Sequence, residues 1–218
     1  MIKAVLFDMD GTLIDTFGTM AKNNHNPSWI KKYTQKQIDK LPSYSYSEIM
    51  NVFDTDPLLR LFPKKGKKAF DQHLLQTYKN ATLKPGALAF LQHLKQSGYI
   101  ICLCTNNARH IMEQVLEFHH LDPFFDHIIT CDDVQKPKPD PEMYITAATF
   151  CHVEKQECII FEDMLEGVQA GVNAGIPVIA IEDPFSQKNR EVIASLAKMM
   201  IQDYTDSSLL SLFPPIQS

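Results

Sequence analysis

Residues 5–16 read VLFDMDGTLIDT, which places three aspartates within eight positions, directly after an apolar run. Carboxylates gathered without a countercharge repel one another and resist ionising together. A divalent cation such as magnesium, which prefers hard oxygen ligands, would remove that conflict. The stretch therefore predicts a buried strand that ends at a cation site.

Further apolar runs without polar alternation are typical of strands in a parallel sheet that is covered on both faces. The predicted strands are residues 4–7, 100–104, 128–129, 159–161 and 178–181. Between them, helical patterns cover residues 86–96, 108–119, a segment opened by Asp140-Pro141, and 167–174. This alternation predicts an α/β fold, a doubly wound parallel-sheet (Rossmann-like) core, with the active site at the carboxyl ends of the strands.

Residues 17–83 interrupt the alternation, because they contain helical fragments broken by prolines and no convincing strand. We predict a small α-helical cap domain over residues 16–83, inserted after the first strand, with residues 1–15 and 84–218 forming the catalytic core. Between Thr16 and Lys84, twelve Lys and Arg face five Asp and Glu, a net charge of +7, whereas the rest of the chain carries −12. A basic module beside an acidic one is typical of a lid that attracts anions. The lysine run at 64–68 is interpreted as a solvated loop.

Composition narrows the class of protein. The 218 residues are 44% hydrophobic and 22% charged, as in soluble globular proteins, and no apolar run is long enough to cross a bilayer. The early acidic residues argue against a signal peptide. Five cysteines without a CxxC pair indicate reduced thiols and a cytoplasmic location. We expect a monomer or small homo-oligomer that binds neither nucleic acid nor membrane.

Polar residues follow four predicted strands and should meet at one edge of the sheet. They are Asp8 and Asp10 after the first strand, Thr105 and Asn106 after the second, Lys136 after the third, and Glu162 and Asp163 after the fourth. Lys138, in the same KPKPDP segment, is the rival of Lys136.

These residue types together describe a phosphate pocket. Asp8 and Asp163 are suited to bind Mg²⁺, and Glu162 is available directly or through water. Lys136 supplies a second positive charge, while Thr105 and the helix start that follows it form an anion site. Asp8 could then attack phosphorus as a carboxylate nucleophile, with Asp10 as general acid and base.

The segments DMDGTLIDT, Thr105, the lysine of KPKPDP and FEDMLEGVQAGVNAG resemble the four ordered motifs of the haloacid dehalogenase-like superfamily. The pattern is similar to that of its branch of small phosphatases and phosphomutases, which includes phosphoglycolate phosphatase and β-phosphoglucomutase. The resemblance implies a helical cap, a nucleophile at Asp8, an acid/base at Asp10 and phosphate binding by Thr105 and Lys136. It also implies Mg²⁺ held by Asp8, the Asp10 carbonyl and Asp163. Asn106, which adjoins Thr105, is also predicted to bind phosphate.

The leading hypothesis is a magnesium-dependent phosphatase for a small phosphorylated metabolite, such as a sugar phosphate or a phosphoglycolate-like compound. A β-phosphoglucomutase-like phosphomutase is the alternative, and a non-catalytic phosphometabolite sensor is a third. A mutase needs a second phosphate grip in the cap, supplied in such caps by an arginine and a histidine. Here Arg60 is the only cap arginine and lies outside the expected segment 41–49, Met20 occupies the matching histidine position, and His25 lies nearby.

Overall fold

The sheet is built from six parallel strands in the order β3-β2-β1-β4-β5-β6. The computed structural model describes residues 1–23, 45–55 and 63–216. The strands are β1 (Ala4–Phe7), β2 (Ile100–Cys104), β3 (His127–Ile129), β4 (Cys158–Glu162), β5 (Val178–Ile181) and β6 (Met199–Ile201). The predicted doubly wound α/β fold is confirmed. The short strand β6 was not predicted from the sequence.

Helices pack against both faces of the sheet. They are α1 (Thr16–Asn23), α2 (Tyr46–Thr55), α3 (Pro63–Asn80), α4 (Ala87–Gln96), α5 (Arg109–His119), α6 (Glu142–Phe150), α7 (Leu165–Ala174), α8 (Arg190–Leu196) and α9 (Ser208–Leu212). Among the described residues, no helix combines the length and the apolar character that crossing a membrane requires.

The side chains of β1 alternate between two buried apolar clusters, one on each face of the sheet. Val5 and Phe7 belong to the first cluster, and Ala4 and Leu6 belong to the second. In the first cluster the rings of Phe7 and Phe161 stack with their centroids 4.9 Å apart. Burial on both faces explains why this strand is apolar at every position.

The register of the central strands brings their polar ends to one level. Phe7 of β1 is aligned with Leu103 of β2 and with Phe161 of β4. The next residue is therefore Asp8 after β1, Cys104 in β2 and Glu162 in β4. The strand order also reverses at β1, which is where doubly wound sheets bind ligands.

The described part of residues 16–83 consists of helices α1 to α3. The lysine run at 64–68 belongs to α3 rather than to the predicted loop, and Lys67 Nζ lies 2.6 Å from Asp54 Oδ2. Pro63 begins this helix, a position where proline is tolerated because its missing N–H would lack a partner anyway. His25 and Arg60, which bear on the mutase alternative, lie outside the described residues.

Helix α3 is anchored on the core by an apolar stripe. Phe70, Leu74 and Tyr78 are buried in the same cluster as the first face of the sheet. These residues are four apart in the sequence, which places them on one face of the helix. Its burial fixes the end of α3 beside the carboxyl end of β1.

Candidate active site

A buried lysine neutralises part of the acidic cluster at the strand ends. Lys138 Nζ donates hydrogen bonds to Asp8 Oδ1 at 2.7 Å, to Glu162 Oε1 at 2.6 Å and to the Cys104 carbonyl at 2.8 Å. Only 4% of its side chain is exposed. Burial alone would lower the pKa of Lys138, but the carboxylates of Asp8 and Glu162 outweigh it and raise that pKa. The lysine therefore stays charged.

The lysine at this position was predicted to be Lys136, and that prediction is wrong. The Lys136 side chain is 72% exposed, and its Nζ lies 3.7 Å from Asp140 Oδ2. The side-chain amide of Asn106 fixes Lys138 in the site, because it forms hydrogen bonds with both the N–H and the carbonyl of the Lys138 backbone. Its Oδ1 accepts from the Lys138 N–H at 3.1 Å, and its Nδ2 donates to the Lys138 carbonyl at 3.5 Å.

Asn106 was predicted to bind phosphate, but its side chain has a different partner in the structure. Its amide is occupied by the backbone of Lys138. The backbone N–H of Lys136 instead donates to Glu142 Oε2 at 3.0 Å, which holds that residue away from the cluster. Asn106 thus lies in the site as the group that positions the lysine loop.

Glu162 is saturated by hydrogen bonds. Its Oε1 accepts from Lys138 and from the Tyr144 hydroxyl at 2.8 Å, and its Oε2 accepts from the backbone N–H groups of Asp163 and Met164. A Cβ at Gly167 would lie 1.9 Å from Oε1, so only glycine leaves room for this carboxylate. This arrangement is that of a counterion for Lys138.

Asp163 presents a carboxylate oxygen in need of a partner. Its Oδ1 accepts from Thr12 Oγ1 at 2.9 Å, whereas its buried Oδ2 has no hydrogen-bond partner among the described residues. A Cβ at Gly11, where φ is +78°, would lie 2.2 Å from that oxygen. Glycine therefore permits both the turn and the close approach.

The oxygens of Asp8, Glu162 and Asp163 form a cluster that could hold a metal ion. One oxygen of each lies within 4.8 Å of the others, and all three residues are buried. When all are ionised, three carboxylates and one ammonium leave a formal charge of −2. A divalent cation with oxygen ligands fits both that charge and the unpartnered oxygen of Asp163.

The pKa values reflect this excess of negative charge. Burial, followed by the neighbouring charges, holds the pKa of Asp8 well above its ordinary range, although Lys138 lowers it in part. Burial and the carboxylates of Glu162 and Asp8 likewise raise the pKa of Asp163. The protein alone thus resists full ionisation of the cluster.

Asp10 lies beside this cluster and is held separately from it. Its Oδ2 accepts from the Tyr78 hydroxyl at 2.6 Å and from Asn107 Nδ2 at 2.8 Å. Burial raises the pKa of Asp10, and the hydrogen bonds from Tyr78, Thr16 and Asn107 oppose that rise. The carboxylates of Asp8 and Asp10 are therefore in different environments.

Thr105 is buried at the end of β2, where its Oγ1 accepts from the Asn107 N–H at 3.1 Å. Its hydroxyl hydrogen can still be donated to an anion. The predicted anion site at the start of α5 is partly capped, because the Arg109 N–H donates to Asp132 Oδ2 at 2.8 Å.

The sequence did not single out Tyr78, Asn107, Tyr144 or Thr12 as parts of this site. Asn107 adjoins the predicted pair of Thr105 and Asn106, which is a local signal. Nothing in the sequence around Tyr78 reveals that its hydroxyl bonds Asp10, which is 68 residues away.

Comparison with known proteins shows the family of the chain. A family model described as haloacid dehalogenase-like hydrolase matches residues 5–181. The pyrophosphatase PpaX of Bacillus cereus (strain ATCC 10987 / NRS 248) is 30% identical over 185 residues, 83% of this chain and 83% of that protein.

Two further likenesses concern a longer protein and a solved structure. The bifunctional riboflavin kinase/FMN phosphatase of Arabidopsis thaliana is 28% identical over 212 residues, which cover 92% of this chain but only 55% of that protein. The crystal structure of CbbY from Rhodobacter sphaeroides in complex with phosphate superposes with a TM-score of 0.77 at 21% identity, covering 97% of this chain and 100% of the other. Because the family model spans most of the chain, the protein belongs to the haloacid dehalogenase-like hydrolases.

Proposed function

We propose that this protein is a magnesium-dependent phosphatase that hydrolyses a small phosphorylated metabolite through an aspartyl-phosphate at Asp8. The observation that carries the proposal is the placement of Asp8 between Lys138 and the unpartnered oxygen of Asp163, with Asp10 held nearby. A nucleophile, a fixed cation, a cation site and a second carboxylate are the parts that phosphoryl transfer to an aspartate requires.

In the first half-reaction the carboxylate of Asp8 attacks phosphorus. An oxygen–phosphorus bond forms to Asp8, and the bond from phosphorus to the leaving oxygen breaks. Asp10 in its protonated form gives its proton to that leaving oxygen, which departs as an alcohol. Lys138 and the Thr105 hydroxyl stabilise the negative charge on the phosphoryl oxygens.

In the second half-reaction water attacks phosphorus while Asp10, now a carboxylate, accepts a proton from it. The bond from phosphorus to Asp8 breaks, which releases inorganic phosphate and restores the Asp8 carboxylate. Asp10 ends protonated and ready for the next turnover.

Asp8 and Asp163, with the Asp10 carbonyl, would hold magnesium, and Glu162 would act mainly as the counterion of Lys138. When bound, the ion reduces the repulsion between the Asp8 carboxylate and the phosphoryl group. This assignment moves Glu162 from a predicted ligand to a group that reaches the ion at most through water, since both of its oxygens are occupied.

We further propose that residues 16–83 act as a cap domain on a core of residues 1–15 and 84–218. The net charge of +7 between Thr16 and Lys84 supports attraction of an anionic substrate to an acidic core. The pyrophosphatase and FMN phosphatase among the relatives act on phosphate esters or anhydrides, which supports a small phosphorylated compound as the substrate class.

The test is a panel of sugar phosphates, organic-acid phosphates, FMN and pyrophosphate, assayed with magnesium and with excess chelator. We expect phosphate release from at least one compound with magnesium and none with chelator. Full activity in chelator, or no release from any member, would contradict the proposal. Phosphorus NMR of β-glucose 1-phosphate separates the phosphatase from the phosphomutase hypothesis, because efficient conversion to glucose 6-phosphate would identify a mutase.

Magnesium should also stabilise the fold, and Asp163→Asn should remove most of that effect. At roughly 100 times its dissociation constant, a ligand bound only by the folded state adds about 2.7 kcal/mol to the free energy of unfolding. Without magnesium, Asp163→Asn should be at least as stable as the wild type at neutral pH, because it removes a charge from a repulsive cluster. Thermal unfolding with and without magnesium measures both quantities.

The pH dependence of the free energy of unfolding provides a second test of Asp163→Asn. Because the pKa values of Asp8 and Asp163 are raised, these two groups bind more protons in the folded metal-free protein than in the unfolded chain. Its free energy of unfolding should therefore fall as pH rises from about 4, the ordinary carboxyl value, through those raised values. The fall should be smaller in Asp163→Asn, where other carboxyl groups are unchanged. Equal slopes in the two proteins would refute this description of the cluster.

A further inference from the structure

Two donors converge on one oxygen of Asp10. The Tyr78 hydroxyl lies 2.6 Å from Oδ2, and Asn107 Nδ2 lies 2.8 Å from the same atom. Asn107 Nδ2 also lies 2.7 Å from the Tyr78 hydroxyl oxygen, to which it donates. The three polar groups therefore form a closed triangle in which Asp10 accepts from both partners.

Tyr78 is fixed independently of Asp10. Its side chain is fully buried in the apolar cluster that also contains Phe70 and Leu74. Its backbone carbonyl accepts from His119 Nε2 of the core helix α5 at 2.8 Å. Burial of the ring and this backbone bond both hold the Tyr78 hydroxyl beside Oδ2.

Asn107 is fixed as well. Its backbone N–H donates to Thr105 Oγ1 at 3.1 Å, and its backbone carbonyl accepts from the Cys131 N–H at 3.1 Å. The two donors to Oδ2 thus come from backbone that is held by its own hydrogen bonds, one from α3 and one from the loop after β2.

We propose that Tyr78 and Asn107 are positioning residues that hold Asp10 by Oδ2 and direct Oδ1 to the leaving group as the proton-carrying atom. A carboxylate oxygen that already accepts two hydrogen bonds is the poorer site for a proton, so the proton is carried on the other oxygen. This inference rests on the proposed phosphatase function, in which Asp10 protonates the leaving oxygen. It makes the last turn of α3 part of the acid/base machinery without contact to the substrate.

Tyr78→Phe tests the proposal because it removes only the hydroxyl and keeps the buried ring. The readout is kcat/KM for two esters: an alkyl phosphate, whose leaving oxygen needs a proton, and 2,4-dinitrophenyl phosphate, whose leaving group does not. General acid catalysis contributes about 10² to 10⁴ in rate, so a misdirected acid should cost about tenfold on the alkyl phosphate. The loss on the dinitrophenyl ester should be less than about twofold on the same grounds.

The matched control is Tyr99→Phe. Tyr99 is also a buried tyrosine, and its hydroxyl donates to the Pro214 carbonyl at 2.8 Å, remote from the acidic cluster. Its loss should leave the kcat/KM of both esters unchanged. In an Asp10→Asn background, Tyr78→Phe should cause no further loss, because the group that it positions is gone.

Equal losses on the two esters, or a full additional loss in the Asp10→Asn background, would show that Tyr78 is merely structural and would overturn the proposal. A crystal structure of Tyr78→Phe/Asn107→Ala provides a readout that does not depend on turnover. We expect the Asp10 carboxylate to leave its position there, and an unchanged position would also refute the inference. If the wild type hydrolyses no ester, the proposed function fails, while this structure still decides whether the pair holds Asp10.

Discussion

Asp8→Asn should reduce phosphatase turnover by roughly 10⁴ or more, as the loss of a nucleophile does in other enzymes. The amide keeps the size of the carboxylate but cannot form the bond to phosphorus. The fold should survive, because Lys138 keeps Glu162 as its partner and the buried cluster loses one of its repelling charges. Turnover of the best substrate, with circular dichroism as the check on folding, measures this result.

Asp10→Asn is the informative comparison for that variant. It leaves the nucleophile in place and removes the acid/base group, so the loss should be smaller, about 10² to 10⁴. Substantial turnover by Asp8→Asn, or a greater loss in Asp10→Asn than in Asp8→Asn, would contradict the assignment of the two aspartates.

Lys138→Met is expected to have the second-largest effect, on both activity and stability. Removing one group that stabilises a developing anion typically costs about 10² to 10³ in kcat. Removing one partner of a buried ion pair also costs about 3–5 kcal/mol, because it leaves the opposite charges uncompensated. Here those charges are Asp8 and Glu162, each within 2.7 Å of Nζ.

Lys136→Met is the matched control, since it makes the same chemical change two residues away. Its side chain is exposed and its nearest carboxylate oxygen is 3.7 Å distant, so stability should change by less than about 1 kcal/mol. Turnover should be unaffected. A larger loss of turnover in Lys136→Met than in Lys138→Met would show that Lys136, and not Lys138, stabilises the phosphoryl group.

The choice between these two lysines shows where reasoning from the sequence reaches its limit. The segment KPKPDP presents both with the same spacing from proline, and neither apolar periodicity nor charge separates them. The deciding contact is the Asn106 amide, which comes from a loop 32 residues earlier in the chain. Long-range side-chain contacts of this kind have no local signature.

Features with a local signature were predicted well. The apolar runs of β1, β2, β4 and β5 have a clear pattern because both faces of those strands are buried. Strand β6 was not predicted because it has only three residues, two of which are partly exposed methionines. Asp8 and Asp163 were found because strand ends in a parallel sheet meet at one edge, whereas the bond from Tyr78 to Asp10 depends on how α3 docks.

The most direct test of the central claim is to trap the covalent intermediate. Protein turning over substrate with magnesium is treated with sodium borohydride, which reduces an aspartyl-phosphate to homoserine, and its peptides are identified by mass spectrometry. With 2,4-dinitrophenyl phosphate, whose leaving group needs no proton, Asp10→Asn should enrich the trapped species, because that variant lacks the base that activates water. We predict homoserine at position 8, formed only when both substrate and magnesium are present. Homoserine at any other position, or rapid phosphate release without homoserine at position 8 in either protein, would contradict the account.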